Sequence, residues 1–359
     1  MSEELTEAID TQDSEPSLEP SFKSLCLRIG IVMIAVFAVR CIITVALSVL
    51  YPLYEGWSPV AKTLLDSLSA IVFLNFIPMA VTLFVLKFPV KTEVRKMYAK
   101  PRYFGRALGM FPAGYSIAMV VAMLTTLLVT LIRKIGIIES LDSTGVVYMS
   151  TDLTSAMIMF VHKVVVAPLL EEFWFRGMVM QSLRPYGNGF AIFVSSLLFG
   201  LTHANLEQFF FTTAIGIIFG YIAVQTGSVI TSTAMHAMFN SVGAVASLFI
   251  ISPEIGTYLL ALESGQEVSR PPVVILFMIW SVAVLVFAVV GAVMAVIKLT
   301  RIRRYRVPKV QTELSSKRRW GIFMSRPTVI VMLLMAFDTM TFLFVTRNLV
   351  DWLKAIFYQ

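Results

Sequence analysis

Long apolar runs separated by short polar stretches set the pattern of this chain. At about 20 apolar residues per crossing, the pattern predicts nine spans, near 26–51, 65–87, 107–132, 154–183, 189–204, 207–225, 228–251, 272–297 and 327–346. The fifth and sixth runs are short for a full crossing. The expected fold is all-α, a polytopic transmembrane helical bundle of about 8–9 spans. No tandem repeat and no separate soluble domain is readable. The expected division is a tail over 1–22, N-terminal spans over 23–135, a polar-punctuated core over 150–251 and C-terminal spans over 252–359.

Composition narrows the class further. Of 359 residues, 57% are apolar and only 14% charged, with a mean hydropathy of +0.81. A compact soluble domain needs more polar surface than that. A soluble enzyme, a disordered chain and a nucleic-acid binder are therefore excluded. The net charge of +7 is unevenly placed. Residues 1–20 hold Glu3, Glu4, Glu7, Asp10, Asp13, Glu15 and Glu19 and no Lys or Arg. That tail is expected to be disordered, solvated and cytoplasmic, and it lacks the basic start of a cleaved signal peptide.

The basic excess sits in loops between apolar runs, so its natural partner is the anionic headgroup layer of a bilayer, with no role for nucleic acid. Residues 87–106 and 298–326 together hold 17 of the 29 basic residues. Six predicted spans separate the two loops, which puts both on one side. By the positive-inside rule that side is the cytoplasm. The chain is expected to be a multi-pass protein of the cell membrane, with its N-terminus cytoplasmic and its C-terminus outside. The segment 91–106 reads either as a solvated basic loop or as a surface helix with Val94, Met97, Tyr98 and Phe104 against lipid. Cys26 and Cys41 lie about 22 Å apart on one helix, too far for a disulfide.

Charge inside an apolar span costs ~2.5–3.5 kcal/mol per group on insertion scales. The fourth run nevertheless holds Glu171, Glu172 and Arg176. Glu172 and Arg176 are i, i+4 on a helix and can pair. Glu171, rotated by about 100°, is left without a local cation. Pro168, one turn upstream, should distort the helix and free a backbone carbonyl. Phe199 to His203 closes the fifth run, and His236 to Asn240 puts an imidazole and an amide on one face of the seventh. Asn205 to Gln208 resembles a capping box for the sixth helix. The third histidine, His162, adjoins Lys163. Arg40 and Asp66 could pair between the first two spans.

These groups have a joint chemical meaning. A carboxylate in a low-dielectric pocket is a stronger base than one in water. A neighbouring histidine can share the proton of an attacking water. A second histidine with an amide supplies two donors to a developing oxyanion. Glu171, His203 and His236 could alternatively ligate zinc, although no His-Glu-x-x-His pair occurs. The serine elbow Gly-x-Ser-x-Gly is absent as well.

Glu-Glu-x-x-x-Arg at 171–176, Phe-x-x-x-His at 199–203 and His-x-x-x-Asn at 236–240, in that order and each on an apolar helix, resemble the CPBP family. This family includes type II CAAX prenyl endopeptidases and bacteriocin-processing or self-immunity proteins. The resemblance covers roughly residues 150–245. It implies a catalytic membrane core over 150–251 and a glutamic endopeptidase with no metal and no other cofactor. It also implies that Glu171 is the catalytic glutamate and works with His203 to activate water. His236 and Asn240 would form the oxyanion hole, and Glu172 with Arg176 would shape the site. The implied partner is a membrane-associated protein or peptide substrate. Two other readings stay open: a non-proteolytic bacteriocin-immunity or scaffold protein, and a proton-coupled transporter with Glu171 and the histidines as a relay.

Overall fold

A computed structural model describes residues 18–134, 152–204, 206–265, 269–301, 306–341, 352–353 and 355–356. The acidic tail as far as residue 17 and Asn205 of the expected capping box lie outside the described residues.

The described residues form helices and no strand. In chain order these are α1 (Leu18–Tyr54), α2 (Pro59–Leu86), α3 (Val90–Met97), α4 (Phe111–Lys134), α5 (Leu153–Tyr186), α6 (Asn188–Leu201), α7 (Leu206–Thr226) and α8 (Val229–Ile250). They are followed by α9 (Pro253–Glu263), α10 (Pro272–Thr300), α11 (Ser316–Met324) and α12 (Pro327–Thr341). Among the described residues, seven helices are long and apolar enough to cross a membrane. An eighth span arises if α11 and α12, bent by 67° where Pro327 opens α12, are counted together. The remaining predicted span is α6. Its 14 residues rise only about 21 Å, short of the ~30 Å hydrocarbon layer. It ends within the bundle, and that early end carries a site residue.

α1 starts at Leu18, earlier than the apolar run alone indicates. Glu19 sits in its first turn, where a carboxylate favours the helix dipole. It pairs with Lys23 at 2.6 Å and accepts two bonds from the Arg318 guanidinium at 2.6 and 2.9 Å. The main core gathers Phe22, Met33 and Phe37 of α1, Trp174 and Met178 of α5, Leu198 of α6, and Met332 and Ala336 of α12. A second cluster joins Phe111 and Tyr115 of α4, Phe219 of α7 and Phe239 of α8.

Small residues set the closest approaches, as expected where lipid supplies no hydrophobic drive between helices. Gly291 of α10 lies against the Pro112 backbone of α4, and the Ser116 hydroxyl donates to Ala288 O at 2.6 Å. Val284, Phe287 and Ala288 of α10 pack on the second cluster, and the opposite face, with Val282, Leu285, Val289 and Val293, is exposed. A Gly291→Leu chain should lose about 1–3 kcal/mol through overpacking. Cysteine cross-linking between α4 and α10 reads this out, and an unchanged yield would show that the seam tolerates bulk.

Both basic loops lie at one end of the bundle. Arg102 N donates to Thr226 O at 2.9 Å and the Ser228 hydroxyl to Met97 O at 3.3 Å. At the same end, Gln225 donates to Arg306 O at 3.0 Å, Asn188 to Pro308 O at 2.9 Å, and Arg319 to Tyr186 O. The same-side expectation for the loops is therefore met by their shared contacts with residues 225–228. In the sequence, segment 91–106 is open between a solvated loop and a surface helix; Val90–Met97 is helical, and of the four named residues Tyr98 and Phe104 are exposed while Val94 and Met97 are not. Met97 is 3% exposed, and Met97 and Val94 pack into the protein core rather than against lipid. The sulfur of Met97 abuts Gly177, and Tyr98 stacks on Phe173 at 6.4 Å.

Candidate active site

The fourth span is not a uniform α-helix. It opens at Asp152, whose carboxylate accepts from Ser155 N at 2.9 Å, and it contains two wider π-turns, His162–Val166 and Phe173–Val179. The first π-turn is tied to Pro168. Ala167 N bonds to His162 O, five residues back. In that register the next donor would be residue 168, and proline has no N–H. Lys163 O is thereby left out of the ladder. Asn240 of α8 takes it, with Nδ2 donating at 2.7 Å. The carbonyl that Pro168 was expected to free is thus the anchor of a predicted site residue.

The second π-turn carries the ion pair. Arg176 Nη1 donates to Glu172 Oε1 at 2.9 Å, and both side chains are 0% exposed. Arg176 Nη2 donates to Gly216 O at 3.1 Å, and the guanidinium lies 4.5 Å from the Phe199 ring and 5.4 Å from that of Phe219. Gly216 is required here, because a Cβ would come within 3.0 Å of Arg176 Nη2 and 2.9 Å of Ser196 Cβ. The expected pairing of Glu172 with Arg176 is present as read from the spacing.

His236 joins this pair to the other glutamate. Its Nδ1 lies 3.1 Å from Glu172 Oε1, and its Nε2 lies 3.8 Å from Glu171 Oε2. The ring stacks on Phe219 at 5.0 Å and meets Phe199 edge-on at 5.8 Å. Glu171 keeps 22% of its side chain exposed, whereas Glu172 keeps none. The carboxylates therefore differ: one is locked by Arg176 and His236, and the other faces an opening.

His203 sits at the C-terminal end of α6. Its Nδ1 lies 2.9 Å from Phe199 O. A carbonyl only accepts, so Nδ1 carries the proton and a neutral ring presents Nε2 as the basic nitrogen. Ala204, next along, has a left-handed φ of 50° and turns the chain away from the helix axis. Phe199 touches both histidines, with its ring 4.9 Å from His203 and 5.8 Å from His236. Among the described residues no hydrogen bond or ion pair joins His203 to Glu171.

The structure thus brings Glu171, Glu172, Arg176 and His236 into one contact network. Asn240 lies one turn beyond His236, and His203 reaches the cluster through Phe199. Among the described residues, no group of three or more His, Cys, Asp and Glu is placed to hold a metal. Sequence reasoning missed Arg40. It does not pair with Asp66. Its Nη1 donates to Thr202 O at 2.8 Å and its Nη2 to His203 O at 3.2 Å. The one available signal was an arginine deep in an apolar run, which is functional by default.

Known proteins match the same stretch. The type II CAAX prenyl endopeptidase Rce1-like family matches residues 153–242. Among curated proteins, "Putative membrane peptidase YdiL" of Bacillus subtilis (strain 168) is 30% identical over 92 residues, which is 25% of this chain and 38% of that protein. The chain thus aligns with well under half of the relative's length. No solved structure matches the chain. The matched stretch contains every residue of the three motifs, and over residues 153–242 this membrane-spanning chain is similar to the Rce1-like family of type II CAAX prenyl endopeptidases.

Proposed function

We propose that the chain is an intramembrane endopeptidase. It would hydrolyse a peptide bond of a membrane-associated protein or peptide by activating water without a covalent intermediate. The family match and the membrane-peptidase relative support intramembrane proteolysis in general. The finer mechanism rests on one observation: His236 lies between a locked glutamate and an open one.

In this mechanism Glu171 takes a proton from a water in the opening, and the water oxygen attacks the scissile carbonyl carbon. The carbonyl π-pair moves onto oxygen. His236 Nε2–H and an Asn240 amide N–H stabilise that oxyanion. In this role the His236 ring carries protons on both nitrogens, and Glu172 and Glu171 balance its charge. Asn240 has a second amide hydrogen to offer, because its bond to Lys163 O uses only one. His203, basic at Nε2, shares the water's proton with Glu171. As the tetrahedral species collapses, the C–N bond breaks and the proton passes to the leaving nitrogen. Water is consumed and an acid and an amine are released.

His236 is eight residues after Ser228, about 12 Å along α8 from the end where the basic loops meet. Placing that end in the cytoplasm makes the site reachable from the cytoplasmic interface. The anionic headgroups there would be the lipid partner.

A matched peptidome and membrane proteome tests the reading. Cells carry wild type, Glu171→Gln or His203→Ala at equal protein level. Defined fragments should vanish in both variants, and their ends would name the substrate. If no fragment changes while both variants rescue a deletion phenotype, the protein acts by binding.

A further inference from the structure

We propose that Arg40, in the first span, is a positioning residue for His203, so that the catalytic unit extends beyond residues 153–242 to include α1. This rests on the role given to His203 above.

α6 stops within the bundle after Leu201; Thr202 N, His203 N and Ala204 N close its last carbonyls, and Thr202 O and His203 O are left with no partner further along the helix. In a hydrocarbon layer there is no water to take them, and each orphan costs several kcal/mol. Arg40 delivers a planar fork, with Nη1 on Thr202 O at 2.8 Å and Nη2 on His203 O at 3.2 Å. The two acceptors are consecutive, so their spacing suits one guanidinium. The cation also lies at the negative end of the α6 dipole.

This clamp fixes a backbone that would otherwise be poorly held. Ala204 follows in a left-handed conformation, φ 50°, so the helix cannot continue through His203. From within α6, the His203 side chain has one tie, Nδ1 to Phe199 O at 2.9 Å. That tie sets the tautomer, and the turn itself is closed only by short-range backbone bonds from Thr202 N, His203 N and Ala204 N. Holding Thr202 O and His203 O from α1 fixes where Nε2 points. Gly200, one turn back, fits α6 against Thr213 and the Phe209 backbone of α7. α6 is thus seated on one side by packing and on the other by the arginine. Arg40 also has no acid to serve, since among the described residues no ion pair joins it to Asp66 or to any other carboxylate.

The test uses the full chain in detergent and in cells, with Arg40→Met and Arg40→Lys. Carbethoxylation by diethyl pyrocarbonate, read peptide by peptide by mass spectrometry, reports each of the three histidines separately. In Arg40→Met the His203 rate should change by about threefold or more while His162 and His236 hold their wild-type rates. Fragment production in the peptidome should fall by about tenfold or more, because a displaced catalytic group loses up to about a hundredfold. Arg40→Lys keeps a charged donor and should restore part of both. A purely structural role would move all three histidines together, and that result overturns the proposal. So does an Arg40→Met chain with an unchanged His203 rate. If the His203 rate changes selectively but wild type yields no fragments, the clamp stands and the peptidase reading fails.

Discussion

A chain carrying Glu171→Gln is expected to fold and insert normally and to lose about 10²–10⁴ of its peptide hydrolysis, the usual contribution of a general base. Glu171 is not an ion-pair partner of Arg176, and its nearest ionisable group is His236 Nε2 at 3.8 Å. An amide has nearly the same volume but does not take the proton of water. Among the described residues Glu171 makes no hydrogen bond to the Glu172–Arg176–His236 network, so the stability loss in Glu171→Gln should stay well below that in Glu172→Gln. Glu172→Gln should behave in the opposite way. It leaves Arg176 as an uncompensated charge among Phe199 and Phe219 and puts a neutral amide where a carboxylate faces His236 Nδ1. Two adjacent glutamates should thus separate in two assays: cleavage of the substrate named by the fragments, and the unfolding midpoint in detergent. Retained turnover in Glu171→Gln would remove it as the base.

The second large effect is on stability. Arg176→Met should destabilise the bundle by about 3–5 kcal/mol, the cost of leaving one partner of a buried pair alone. The charge at Glu172 is then opposed only by His236, and Gly216 O loses its donor. Adding Glu172→Gln to Arg176→Met should recover part of the loss, since the lone anion is gone. The coupling between the two sites should reach 0.5–3 kcal/mol, as is usual for contacting residues. Denaturant midpoints of the two single variants and the double variant supply the cycle. Strict additivity would mean that the 2.9 Å pair carries no net stabilisation in this environment.

The helices and the identity of the site residues were legible because both leave marks in a linear string. Apolar length reports a crossing, and charges at i, i+4 report a shared face. Glu172 and Arg176 were readable as a pair for that reason. Contacts that run through backbone leave no such mark. Asn240 bonds to the carbonyl of Lys163, and Arg40 to those of Thr202 and His203. No side chain on the accepting end advertises either bond, which is why Arg40 was matched to Asp66, the opposite charge visible in the next span. Met97 was misplaced for another reason. An amphipathic face reports that something apolar covers it, and protein and lipid look alike from the sequence. The apolar run puts the end of α6 at 204, three residues past Leu201, because Thr202 to Ala204 carry no mark of the left-handed turn at Ala204.

The two π-turns of α5 carry a further consequence. Each holds one more residue per turn than α-helix, so each is the footprint of a single-residue insertion. Deleting one residue within His162–Val166 would let the helix wind regularly into Pro168. The helix on both sides of the deletion, the Glu171–Glu172 pair included, would keep its faces, because the wider turn is what absorbs the extra residue. Within the turn itself, Lys163 or its replacement would then offer its carbonyl in another direction, and Asn240 would lose its anchor. Reading frame and hydropathy would be almost untouched. In this span, then, residue count is itself a functional variable: a one-codon gap can disarm the site while the chain still passes for an intact membrane protein.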